Sequence, residues 1–77
     1  MNVELANQPG LKESIMASQA LSDAIAREEE ALGGDGRILV RPSGTEPLIR
    51  VMVEAKTAQQ ADECAGRLAN LVKTLEL

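Results

Sequence analysis

The periodicities along the chain predict a two-layer α+β domain, a small antiparallel or mixed sheet with two helices on one face. Three observations carry this reading. Two stretches, around 14–32 and 57–75, repeat their apolar residues at helical spacing. Two short runs rich in β-branched residues, 37–41 and 48–54, flank a six-residue connection that is polar and broken by proline. The first five residues alternate weakly, with Val3 and Leu5 on one side. Two amphipathic helices need a common apolar surface, and one face of a sheet supplies it.

Each element has its own signal. Met1 to Leu5 reads as an edge strand, and one sheet edge is unfinished if the chain starts late. Residues 6–13 contain Pro9-Gly10 and read as a connection. From about Ser14 the period becomes helical, with Ala17, Leu21, Ala24, Ile25 and Leu32 near one face. Ser14 and Ser18 are both candidate N-caps. Gly33-Gly34 stops this helix, since glycine accepts the left-handed cap conformation. The acidic run Glu28-Glu29-Glu30 lies at the wrong end for the helix dipole and reads as a solvated face. Asp35-Gly36 turns the chain into the first run, and the short connection 42–47 predicts an antiparallel hairpin. Thr57 and Gln60 fit a capping box. After them Ala61, Cys64, Ala65, Leu68, Leu71, Val72 and Leu75 follow helical spacing to about Leu75. Gly66 interrupts the polar face.

Composition narrows the function. The 77 residues make one small domain without Phe, Tyr, Trp or His. Lack of histidine removes the commonest general base and metal ligand. The lone Cys64 excludes an internal disulfide and a cysteine-based zinc site, and its place in the apolar stripe makes it a small core residue. No apolar run approaches the roughly 18 residues of a membrane span, and no signal peptide is recognisable, so the expected setting is cytoplasmic. The net charge is −4. Yet Arg37, Arg41 and Arg50 cluster within 37–50 against Glu46 alone. A basic spot on an acidic body suits a small anion better than a long polyanion. A nucleic-acid module is disfavoured further, because no aromatic ring is present for base stacking.

The stretch Arg41-Pro42-Ser43-Gly44-Thr45-Glu46-Pro47 carries the chemistry. Side chains alternate across a strand. Ile49, Val51 and Val53 therefore share one face, matched by Ile38 and Val40, and belong under the helices. Arg37, Leu39 and Arg41 then share the opposite face with Leu48, Arg50, Met52 and Glu54. With Arg41 opposite Leu48, Arg50 is its diagonal neighbour, about 7 Å away. Gly44 permits positive φ and close approach of a ligand to the backbone. Successive N–H groups around Ser43, Gly44 and Thr45 make a nest for oxygen anions, and the two hydroxyls add donors. Pro42 and Pro47 restrict the loop at both ends. Glu46 would repel a phosphate and fits better as an ion-pair partner of Arg41 or Arg50. Arg37 reads as a solvated strand-end charge. The same residues also suit an ordinary hairpin turn with arginines solvated or paired to Glu46 and Glu54. Composition leaves both readings open. A regulatory or dimerisation module using the Leu39, Leu48 and Met52 face is a further alternative.

Residues 34–54, Gly-Asp-Gly-Arg-Ile-Leu-Val-Arg-Pro-Ser-Gly-Thr-Glu-Pro-Leu-Ile-Arg-Val-Met-Val-Glu, resemble the C-terminal phosphate-binding region of the α-D-phosphohexomutases. They are most similar to the bacterial branch that acts on glucosamine phosphate in cell-wall precursor synthesis. The flanking helices fit as well, so the resemblance covers nearly the whole chain and is weakest over 1–13. It implies the last of four domains of an isomerase, inactive alone, that interconverts hexose 6-phosphates and 1-phosphates through a bisphosphate. It implies a small sheet-and-two-helix fold of the type also seen in TATA-binding protein, which says nothing about DNA. The implied phosphate site falls on Arg41, Ser43, Gly44 and Thr45, with Arg50 as a supporting cation. It would hold the phosphate that is not being transferred. The phosphoserine, the magnesium-binding aspartates and the sugar-recognition loop are implied for other domains. Asp23, Asp35 and Asp62 have no metal-ligand spacing. The implied partners are a sugar phosphate and the other three domains, with no nucleic acid and no membrane.

Overall fold

A computed structural model describes residues 1–76. Strand β1 (Asn2–Glu4) is followed by helices α1 (Leu11–Met16) and α2 (Gln19–Leu32). A 3-10 turn at Gly33–Asp35 leads into β2 (Arg37–Pro42), then β3 (Leu48–Glu54) and α3 (Ala58–Leu75). The three strands form one antiparallel sheet in the order β1-β3-β2. The arrangement is α+β in two layers.

The helical layer has one more element than the periodicity predicts. A single helix over 14–32 is replaced by α1 and α2, and α1 occupies part of the expected connection. Gly10 enters α1 with φ 81°, in the left-handed region open to glycine. Ser18 interrupts the helical path with an extended ψ of 132° and becomes the N-cap position of α2, without a side-chain cap bond. Ser14 lies inside α1. Six residues are too few to hold a helix in water alone. Burial of Ile15, 2% exposed, supplies the tertiary anchor.

The core joins all the elements. Val3, Ile15, Leu21, Ile49, Leu68 and Val72 belong to one buried cluster, so the helices cover a single sheet face. Ile38 and Val51 are buried there too, with Val40 and Val53 packed at its margin, as strand parity predicts. Leu48 departs from that expectation. It starts β3 on the arginine face yet is only 6% exposed, and it stands outside the core cluster. The apolar patch offered on that face is therefore reduced to Leu39 and the exposed Met52.

The helix ends are set by local chemistry. Thr57 Oγ1 accepts the Gln60 N–H at 3.1 Å, which caps α3. Gly33 ends α2 with φ 70° but ψ −159°, an extended positive-φ conformation in place of the left-handed cap. Gly36 is required for another reason: a Cβ there would lie 2.2 Å from Leu32 Cβ.

The hairpin register differs from the expected one by two residues. Arg41 lies opposite Arg50, and Pro42 opposite Ile49. Strand β2 runs one residue further than expected, through Pro42, and the edge position of β2 tolerates a residue without an N–H. A shift of two preserves parity, so every side chain keeps its predicted face.

Candidate functional site

Strand β2 delivers Arg41 and β3 delivers Arg50 to the sheet face away from the helices. Direct cross-strand partners have Cβ atoms about 4.5–5.5 Å apart, closer than the diagonal spacing expected from sequence. Both arginines are exposed. Neither forms an ion pair among the described residues. The orienting contact expected from Glu46 is thus not made, and Glu54 pairs in register with Arg37 without a salt bridge. A shallow cleft of about 200 Å³ is lined by Leu39, Arg41, Arg50 and Met52.

The loop Ser43–Pro47 is held by bonds that consume its carbonyls. Ser43 N–H donates to Leu48 O at 3.0 Å and Leu48 N–H to Glu46 O at 2.8 Å. Leu5 N–H donates to Pro47 O at 2.8 Å, tying the loop to the end of β1. Ser43 is 7% exposed, and its Oγ accepts the Glu46 N–H at 3.2 Å. That hydroxyl oxygen therefore shapes the turn from inside. By contrast, among the described residues the N–H groups of Gly44 and Thr45 donate to no acceptor. Two successive unpaired donors in an exposed loop are the elements of an anion nest.

Gly44 does not use positive φ, which is confined to Gly10 and Gly33. A Cβ built on Gly44 meets no atom within 4 Å. Nothing in the fold demands glycine here, and its missing side chain leaves the backbone bare to an approaching ligand. Thr45 lines a second cleft, about 190 Å³, between the loop and the segment around Asn7–Gly10. The structure thus brings Arg41 and Arg50 together in one cleft and Thr45 into a different one, while Ser43 and Gly44 line neither.

Lys12 joins this site without any forewarning in the sequence. Its Nζ donates to the carbonyl of Ser43 and, at 3.2 Å, to that of Glu46. The residue lies in α1, 31 positions before Ser43. No local pattern around a Pro-Gly turn points across that separation.

Away from the loop, Glu29 and Glu30 are exposed as expected, whereas Glu28 is half-buried and paired. Arg67 donates to it through Nε at 2.6 Å and Nη2 at 2.7 Å, a bidentate bridge between α2 and α3. The Arg67 hydrogen bonds hold the Glu28 carboxyl below its usual range. The same contact binds the Arg67 proton more tightly. Burial, then the nearby Glu28 charge, pushes the Cys64 thiol up, as befits an inert core residue. Among the described residues no three carboxylate or thiol side chains gather as metal ligands.

A family model described as the phosphoglucomutase/phosphomannomutase C-terminal domain matches residues 1–71. The chain belongs to this family. Among curated relatives of this phosphoglucomutase/phosphomannomutase C-terminal domain, the phosphoglucosamine mutase of Bifidobacterium animalis subsp. lactis is 54% identical over 70 residues, 90% of this chain and 15% of that protein. The phosphoglucosamine mutase of Pelotomaculum thermopropionicum is 55% identical over 65 residues, 84% of this chain and 15% of the relative. That of Streptomyces coelicolor is 54% identical over 71 residues, 91% of this chain and 16% of the relative. The chain spans about 15% of the length of the relatives it matches.

Proposed function

We propose that this chain is the phosphate-binding C-terminal domain of a phosphoglucosamine mutase, the isomerase that interconverts glucosamine 6-phosphate and glucosamine 1-phosphate. Its relatives bear that name, which supports the reading at the level of the whole enzyme. The domain's own task is to hold the substrate phosphate that is not being transferred. Arg41 and Arg50 supply the positive charge. Gly44 and Thr45 supply backbone donors, the Thr45 hydroxyl adds another, and Ser43 fixes the turn through its buried oxygen.

One observation carries this reading. Two guanidinium groups stand directly opposed without a counter-ion among the described residues, next to a loop with two unpaired N–H donors. A dianionic phosphate bridging from the arginine cleft to the loop would satisfy both deficits. The site reads charge and oxygen geometry, not a sugar ring. It therefore suits a bisphosphate intermediate that must present either end to the same clamp. The other domains would supply the phosphoserine, magnesium and the contacts that select the sugar. Bringing this domain against them would close the site and exclude water.

Alone, the half-site is open, so millimolar affinity is expected. Titrating the chain with glucosamine 6-phosphate while following amide resonances tests the reading. Shifts centred on Gly44 and Thr45 support it. Loop amides that stay still at high ligand, or shifts confined elsewhere, overturn it.

A further inference from the structure

We propose that Lys12 is a positioning residue for the phosphate loop, fixing the Ser43–Gly44 peptide so that the Gly44 N–H faces an incoming oxyanion. This rests on the phosphate reading above. In a trans peptide the C=O and N–H of one unit point in opposite directions, and no peptide bond in the described chain is cis. The Ser43 carbonyl and the Gly44 N–H are one such unit. Lys12 Nζ holds that carbonyl, so the Gly44 N–H is turned to the other side of the loop. There it donates to no described acceptor. The ammonium also polarises the peptide it binds, which strengthens its N–H as a donor.

The second hold, on the Glu46 carbonyl, ties the far part of the loop to the same ammonium. Rotating the Ser43–Gly44 peptide by half a turn would break the Lys12 contact. It would also put a carbonyl oxygen where the ligand's oxygen has to sit. Lys12 lines the second cleft together with Thr45 and acts on the Gly44 N–H through the backbone, while Arg41 and Arg50 act on the anion itself. The lysine comes from the short helix α1, whose place is set by buried Ile15.

The test titrates isotopically labelled chain with inorganic phosphate. Lys12→Met keeps an unbranched side chain and removes the donor. It is expected to weaken phosphate affinity about three- to tenfold, the effect of losing one net hydrogen bond. It should also move the Ser43 carbonyl-carbon and Gly44 amide resonances before any phosphate is added. Lys12→Arg, which keeps charge and donors, should recover most of the affinity. Lys56→Met removes an equal charge from the exposed pair with Asp35 and should leave affinity unchanged. Equal phosphate affinity in the wild type and Lys12→Met overturns the role of Lys12 and leaves the phosphate reading standing. Equal weakening by Lys12→Met and Lys56→Met makes net charge the cause and overturns it too. A wild-type loop that ignores phosphate overturns the phosphate reading, and the role of Lys12 falls with it.

Discussion

Arg41 and Arg50 repel each other across the hairpin in the absence of a ligand. Like charges directly opposed in a sheet destabilise by roughly 0.2–1 kcal/mol. Arg50→Gln is therefore expected to raise the stability of the free chain by about that amount while weakening phosphate binding. Urea denaturation with and without phosphate checks both halves: the wild type gains stability from the ligand and the variant gains much less. Gly44 makes a sharper case, because fold and function separate there. A methyl group on Gly44 meets no protein atom within 4 Å. Gly44→Ala should change stability by less than about 0.5 kcal/mol, as surface substitutions do. It should still abolish the phosphate-dependent amide shifts, because the methyl occupies the approach to the bare backbone. A variant that binds phosphate normally would show that the bare backbone at Gly44 is not part of the contact. Ser43 is the opposite kind of residue, since its buried oxygen serves the turn and its loss would disturb the loop even without ligand.

At the scale of the elements, strand faces were readable because their period is two, and a register error of two residues leaves that period intact. The register itself was not readable. It depends on how far β2 continues through Pro42, and that depends on β2 being an edge strand, a tertiary fact. Helix α3 was legible throughout, since its cap, stripe and length agree. Helix α1 was hidden because Ile15 decides it by long-range burial, not by local propensity. For the same reason Lys12 and the Glu28–Arg67 bridge were invisible, their partners lying 31 and 39 residues away. The shared face of Arg41 and Arg50 needed no tertiary information beyond parity, whereas the positive φ expected at Gly44 is not used. One prediction belongs at this scale. A Cβ on Gly66 meets no atom within 4 Å, and glycine inside a helix costs about 1 kcal/mol relative to alanine. Gly66→Ala should raise Tm by roughly 4–8 °C for a domain of this size. Calorimetry giving an unchanged or lower Tm would mean that this face of α3 is more crowded than described.

For the whole molecule, acid is the condition that loosens the assembly. Glu28 is depressed by Arg67, and Glu76 by the Ala6 N–H and then by Lys73. A carboxylate with a lowered folded pKa stabilises above its unfolded value and loses that contribution as pH falls through the folded one. Stability should therefore decline below about pH 4.5, the ordinary carboxylate value. Cys64 works in the opposite sense, since its raised pKa makes ionisation favour unfolding as pH climbs past 9.0. The chain has no histidine, so a flat plateau is expected between these flanks. Denaturation across pH should show Glu28→Gln weaker than wild type at neutral pH and converging with it in acid. Parallel curves at every pH would remove Glu28 from the account. The sheet order has a bearing on survival at high concentration. Strand β2 leaves its outer rim free, and an unguarded rim invites another chain to add itself and start a fibril. Here that rim ends in a proline ring that offers no N–H to a newcomer. Its two arginines crowd any identical strand that tries to stack alongside. Arg41, proposed as part of the anion site, and Pro42, which restricts its loop, thus also make the chain a poor template for its own copies.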